Sequence, residues 1–141
     1  MKQIKRQNSI WLVVPAVCLA VVDILFTLMG QSRFYWSGHF VMANEQAPHA
    51  DYLLRQHPFL FLAVLPLYFG FIALVGLYLP ARIARICILT FVIGHTWGAS
   101  SWMQLYFNYW MFLLFFLLVS WGTLTSFEKA QQATKNNPPN Q

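Results

Sequence analysis

Asp23 lies inside an apolar run and is the residue of this sequence that most demands a chemical explanation. An aspartate near the centre of a membrane-spanning helix costs roughly 2.5 to 3.5 kcal/mol to insert, so such a residue turns toward a polar interior or a partner. Thr27 and Gln31 follow it at i+4 and i+8, which draws one polar stripe along a helix face. His95 is the second ionisable group within an apolar run, in the small and polar sequence Gly94-His95-Thr96-Trp97-Gly98-Ala99-Ser100-Ser101. Asn44, Glu45, His49 and Asp51 lie between the first two apolar runs. Carboxylate and imidazole are common ligands of zinc and similar divalent ions, and a catalytic centre needs about three protein ligands plus an open position. Asp23, Glu45, His49 and His95 form such a candidate metal set. Asp23 and His95 are the candidate catalytic pair, and Thr27, Asn44 and Trp97 the candidate binding residues.

Each feature also has a plainer explanation. Asp51 precedes Arg55 by four residues, the spacing of a helical ion pair, and also suits a helix cap. His39, His49 and His57 fit a solvated segment. Gly94 and Gly98 form a GxxxG pair, which predicts close approach of another helix backbone at the Gly94 face. Asp23 fits a structural hydrogen-bond hub with Thr27 or His95 as well as it fits a functional group. Ser100 and Ser101 have no identifiable base beside them. Cys18 and Cys87 sit in apolar runs with no CxxC or Cys/His spacing, and read as small buried hydrophobes.

The elements that carry these residues follow from composition. Of 141 residues, 58% are hydrophobic, 18% aromatic and only 9% charged. An ordinary soluble domain has about a quarter of its residues charged, so lipid must replace water over most of this surface. Four apolar stretches, about Ile10 to Gly30, Pro58 to Leu79, Ala81 to Phe107 and Tyr109 to Phe127, are near or above the ~20 residues needed to cross a bilayer as a helix. They are too long and too uniformly apolar for barrel strands. The expected fold is all-α: a four-transmembrane-helix bundle forming one domain over residues 1–127, with a flexible polar tail over 128–141. Lys2, Lys5 and Arg6 open the first stretch as they would a signal peptide, but its apolar core is too long and no A-x-A site follows, so it reads as a retained helix.

The net charge of +5 forms no basic stripe on a soluble face, which argues against nucleic acid as a partner. Seven of the nine basic residues (Lys2, Lys5, Arg6, Arg82, Arg85, Lys129 and Lys135) fall on one side of the four spans, against Arg33 and Arg55 on the other. By the positive-inside rule both termini are cytoplasmic and the 31–57 segment is extracytoplasmic. Trp102, Tyr106, Tyr109 and Trp110 crowd the outer turn between the third and fourth spans, at headgroup depth. Asn108 leaves so short a turn that these two helices are antiparallel neighbours. Within the outer segment, Pro48 suits the first turn of a helix and Ala50 to Gln56 fits a short interfacial helix ending before Pro58.

The order Asp23-Ile-Leu-Phe-Thr27, then Asn44-Glu45-Gln46-Ala47-Pro48, then Leu53-Leu54 and His57-Pro58, resembles a group of small bacterial membrane proteins classed as domains of unknown function. The resemblance covers about residues 20 to 60. That group tends to show Asn-Pro where this chain has Ala47-Pro48. It implies a bacterial inner-membrane origin and brings no established activity.

Three functions fit the sequence. The first is an outward-facing intramembrane polar site for a metal such as zinc, a proton or an amphiphilic ligand, with metal-assisted hydrolysis as the reaction class if it is an enzyme. The second is an accessory or assembly subunit whose partners are membrane lipid and other membrane subunits or further copies of itself. The third is a small dimeric proton-coupled transporter.

Overall fold

In the computed structural model residues 8–136 are described, and the basic opening of Lys2, Lys5 and Arg6 lies outside them. Six α-helices follow one another: α1 Val14–Met29, α2 Arg33–Trp36, α3 Pro48–Gln56, α4 Pro58–Tyr78, α5 Ala81–Tyr106 and α6 Tyr109–Asn136. Four helices, with α1 extended by a 3-10 turn to begin at Ile10, are long and apolar enough to cross a membrane. The chain is therefore compatible with a multi-pass integral membrane protein.

Local sequence sets the helix ends. Ser9 caps the first turn by accepting from the Trp11 N–H, and Pro15 lies in the first turn of α1, where its missing N–H costs nothing. The His57 side chain accepts from the Phe59 N–H at 3.1 Å and so caps α4, and the residue is exposed, as expected of a solvated histidine. Leu79 is extended before Pro80, which ends α4. The Asn108 carboxamide accepts from the Met111 N–H at 3.1 Å and starts α6 within two residues of the end of α5.

The most extensive helix pair is α1 against α5. Ala16 and Ala20 on α1 and Ala84 and Ala99 on α5 are fully buried, and such small residues let helix axes approach where no hydrophobic effect separates protein from lipid. By contrast α4 and α6 leave most of their apolar surface exposed. Cys87 is partly buried but Cys18 faces outward, which corrects its expected burial: α1 turns its small Ala16 and Ala20 inward and leaves Cys18 on the opposite side.

Two further expectations are corrected here. The fourth spanning helix, α6, runs on through Asn136, so residues 128–136 are helical, not a flexible tail, and 137–141 lie outside the described residues. Glu128, Lys129, Gln131, Gln132 and Lys135 are good helix formers, with no proline before Pro138. Ala130 also joins the buried core, Ser126 Oγ donates to the Trp11 carbonyl, and the Lys129 ammonium lies 4.6 Å from the Trp11 ring centroid. Gly94 makes no close helix contact, because a Cβ built on it would meet nothing within 4 Å.

The 31–57 segment folds over one end of α1 and α4. Tyr35 and Leu54 are fully buried there with Phe61, and Ile24 and Leu28 of α1 pack against them. The Tyr35 hydroxyl donates to the Leu54 carbonyl at 3.2 Å, and burial pushes this phenol above its ordinary pKa. The Gln31 carboxamide straps the segment to α1. It donates to the Thr27 and Asn44 carbonyls at 2.9 and 3.0 Å and accepts from the Asn44 N–H at 2.9 Å. On α3, Asp51 and Arg55 form the expected i,i+4 pair at 2.7 Å.

Candidate functional site

Three helices each contribute one polar side chain to a single hydrogen-bonded chain. His95 Nδ1 on α5 lies 2.9 Å from Asp23 Oδ2 on α1, and His95 Nε2 lies 2.6 Å from the Tyr68 hydroxyl on α4. An ionised carboxylate only accepts, so Nδ1 carries a proton. With the imidazole neutral, Nε2 accepts from the Tyr68 O–H. With it protonated, Nε2 donates to the phenolic oxygen and Asp23 balances the new charge. The two states differ by one proton at Nε2, so the arrangement can take or release a proton next to Tyr68 without losing either hydrogen bond. The connectivity matches the carboxylate, imidazole and hydroxyl order of hydrolytic triads, with a phenol at the reactive end.

Gly98 makes room for this chain. A Cβ at that position would lie 2.5 and 2.6 Å from the Asp23 carboxylate oxygens, so the close approach expected of the Gly94/Gly98 pair occurs at Gly98 alone, and against a side chain. One turn along α1 from Asp23, the Thr27 hydroxyl donates to Glu45 Oε2 at 3.1 Å and accepts from the Trp102 indole N–H at 3.1 Å. Glu45 Oε1 accepts from the Gln46 and Ala47 backbone N–H groups at 2.8 and 2.9 Å. Glu45 is thus anchored by three donors in a turn just before α3, and not on that helix.

A cavity of about 460 Å³ is bounded by α1, α3, α4, α5 and the turn at residues 45–47. Its polar lining includes Asp23, Thr27, Glu45, His49, Tyr68 and His95, among apolar side chains that include Phe61, Leu65 and Phe91. Trp97 lines it too, although 73% of that residue is exposed. Asn44 does not line it: its main chain is paired with Gln31 and it belongs to the strap.

The four-residue metal set is not assembled. Among the described residues no three His, Cys, Asp or Glu side chains converge to hold an ion. The reason lies in the hydrogen bonds: both His95 ring nitrogens are engaged, by Asp23 and Tyr68, and the Glu45 oxygens are taken by Thr27 and the backbone. His49 reaches the cavity wall without joining them.

Sequence reasoning missed Tyr68 and Trp102. Tyr68 stands ten residues from Pro58 and ten from Tyr78, ~15 Å from either end of α4, too deep for a tyrosine anchored at headgroup level. That depth was the available signal, since a buried phenol needs a partner. Trp102 looked like a headgroup anchor, yet it is 7% exposed and its indole N–H is committed to Thr27. No family model matches the chain, and no curated protein or solved structure shows a significant match to it.

Proposed function

We propose that this chain is a multi-pass protein of a bacterial inner membrane that binds an amphiphilic molecule in the outer half of the bilayer and exchanges a proton beside it through Tyr68, His95 and Asp23. The observation that carries this reading is that the three-helix hydrogen-bonded chain lines the cavity. A volume of about 460 Å³ falls within the roughly 300–1,000 Å³ of small-molecule sites, which are mostly apolar with a few convergent polar groups. The apolar wall receives the ligand's hydrocarbon part, and its polar end meets the Tyr68 hydroxyl. A proton arriving at or leaving His95 Nε2 is balanced by Asp23, so the site can load without stranding a charge in low dielectric.

Gly94 lines the cavity and a Cβ built on it meets nothing within 4 Å, so Gly94→Leu adds a bulky side chain at the cavity wall from an unobstructed Cβ. The test is organic extraction and mass spectrometry of protein purified in a mild neutral detergent. An amphiphile should co-purify with the unmodified chain and fall about tenfold in Gly94→Leu, a change worth about 1.4 kcal/mol. The variant should melt at the same temperature or slightly higher, since leucine favours helix over glycine. Equal extracts from both proteins would refute ligand binding in this cavity.

The reading also fixes sides. The Lys and Arg bias puts both termini in the cytoplasm and residues 31–57 outside. A periplasm-active reporter inserted near Gln46 should be active and the same reporter at the C-terminus silent. Activity at the C-terminus requires an odd number of crossings and overturns this orientation.

A further inference from the structure

The cavity's charge identifies the class of ligand, on the reading just given that it binds an amphiphile. We infer that the ligand is an organic cation, an amine or quaternary ammonium group carried on an apolar body.

The ionisable side chains in the lining are Asp23 on α1, Glu45 in the 45–47 turn, His49 on α3, Tyr68 on α4 and His95 on α5. Among the described residues no lysine or arginine lines it. Glu45 accepts hydrogen bonds at both oxygens and donates none, the pattern of an ionised carboxylate. Asp23 gives one oxygen, Oδ2, to His95, and both of its carboxylate oxygens lie against Gly98. With His95 protonated and His49 neutral, the two carboxylates still exceed the positive charge of the lining by one. Arg55 is the nearest basic residue in the outer segment by sequence, and it is bound to Asp51 and to the Val41 carbonyl.

The wall suits a cation in a second, independent way. Tyr68, Phe91 and Trp97 contribute aromatic rings to the same cavity, and the negative faces of such rings attract ammonium groups. An anionic headgroup would instead face Asp23 and Glu45 after losing its water. The whole chain carries +5, which opposes non-specific collection of cations, so a cation preference has to come from the cavity.

The experiment uses the full chain in alkyl maltoside micelles, with empty micelles as the blank, and three eight-carbon probes used below their critical micelle concentrations: octyltrimethylammonium, octyl glucoside and octyl sulfate. Calorimetric titration should show saturable binding of the ammonium probe at one site per chain, at least about tenfold tighter than the other two. Glu45→Gln and Asp23→Asn should each weaken the ammonium probe about tenfold and leave octyl glucoside unchanged, and Gly94→Leu should abolish binding. Using two charge-removing variants keeps the result readable if one of them fails to fold. If octyl glucoside or octyl sulfate binds as tightly as the ammonium probe and Gly94→Leu removes that binding, the site stands and the cation assignment is overturned. If no probe binds above the blank, the amphiphile reading itself fails, and the cation assignment with it.

Discussion

Gly98→Ala should lower the melting temperature of the purified protein and break the Asp23–His95 hydrogen bond, while Gly94→Ala, four residues earlier on the same helix, should do neither. The two glycines look interchangeable in sequence, but their surroundings differ. A methyl group at position 94 enters open space, whereas one at 98 comes within 2.6 Å of both Asp23 carboxylate oxygens. Asp23 is a short side chain held by His95 at 2.9 Å, and it cannot retreat without giving up that bond. Inserting a group into a packed site costs roughly 1–3 kcal/mol, with the lost charge-assisted hydrogen bond to be added, so Gly98→Val should be worse still. The measurements are thermal melting in detergent and the proton signal of His95 Nδ1–H, which should vanish or move in the Gly98 variants only. Equal tolerance of alanine at both positions would mean that α1 does not press Asp23 against α5.

The same pair of glycines shows what the sequence could and could not reveal. A small-xxx-small pattern says that something approaches closely, but not which residue receives it or whether the visitor is backbone or side chain. The four spans were legible because twenty apolar residues have one stable form in lipid, and the structure places the first three close to their expected bounds and carries the fourth on to Asn136. Asp23 and His95 were legible because ionisable groups at depth need partners, and the structure pairs them. The polar stripe was legible too, since Thr27 and Gln31 are 4% and 6% exposed. Tyr68 was hidden because a tyrosine inside an apolar run is mostly ring, and its hydroxyl matters only once helix α4 is set beside α5. The metal set misled because residue type gives the ligands available and not the hydrogen bonds that already occupy them. The helical end of α6 was hidden because its polar residues suggest solvent, whereas Ala130 joins the core cluster that holds Leu12 and Lys129 lies over Trp11, both on the 3-10 turn before α1.

The last expectation concerns how Asp23 and His95 depend on one another. His95→Leu should destabilise the protein far more than Asp23→Asn, and the double variant Asp23→Leu/His95→Leu should recover much of the loss. Removing the imidazole leaves the Asp23 carboxylate without its donor and the Tyr68 hydroxyl without its acceptor. Breaking one partner of a buried ion pair costs about 3–5 kcal/mol, and the side chains here are only 15% and 20% exposed, so solvent trims that figure modestly. Asparagine keeps an oxygen that can accept from Nδ1, so its cost should be near the ~1 kcal/mol of an ordinary hydrogen bond. Replacing both groups by leucine removes the charge with its partner, leaving only the Tyr68 hydroxyl unmatched. The single and double variants form a thermodynamic cycle, read by reversible unfolding in mixed micelles. A coupling of several kcal/mol is expected between Asp23→Leu and His95→Leu. Additive costs, within about 0.5 kcal/mol, would show that the two side chains act independently and would remove the proton-exchanging chain on which the proposed function rests.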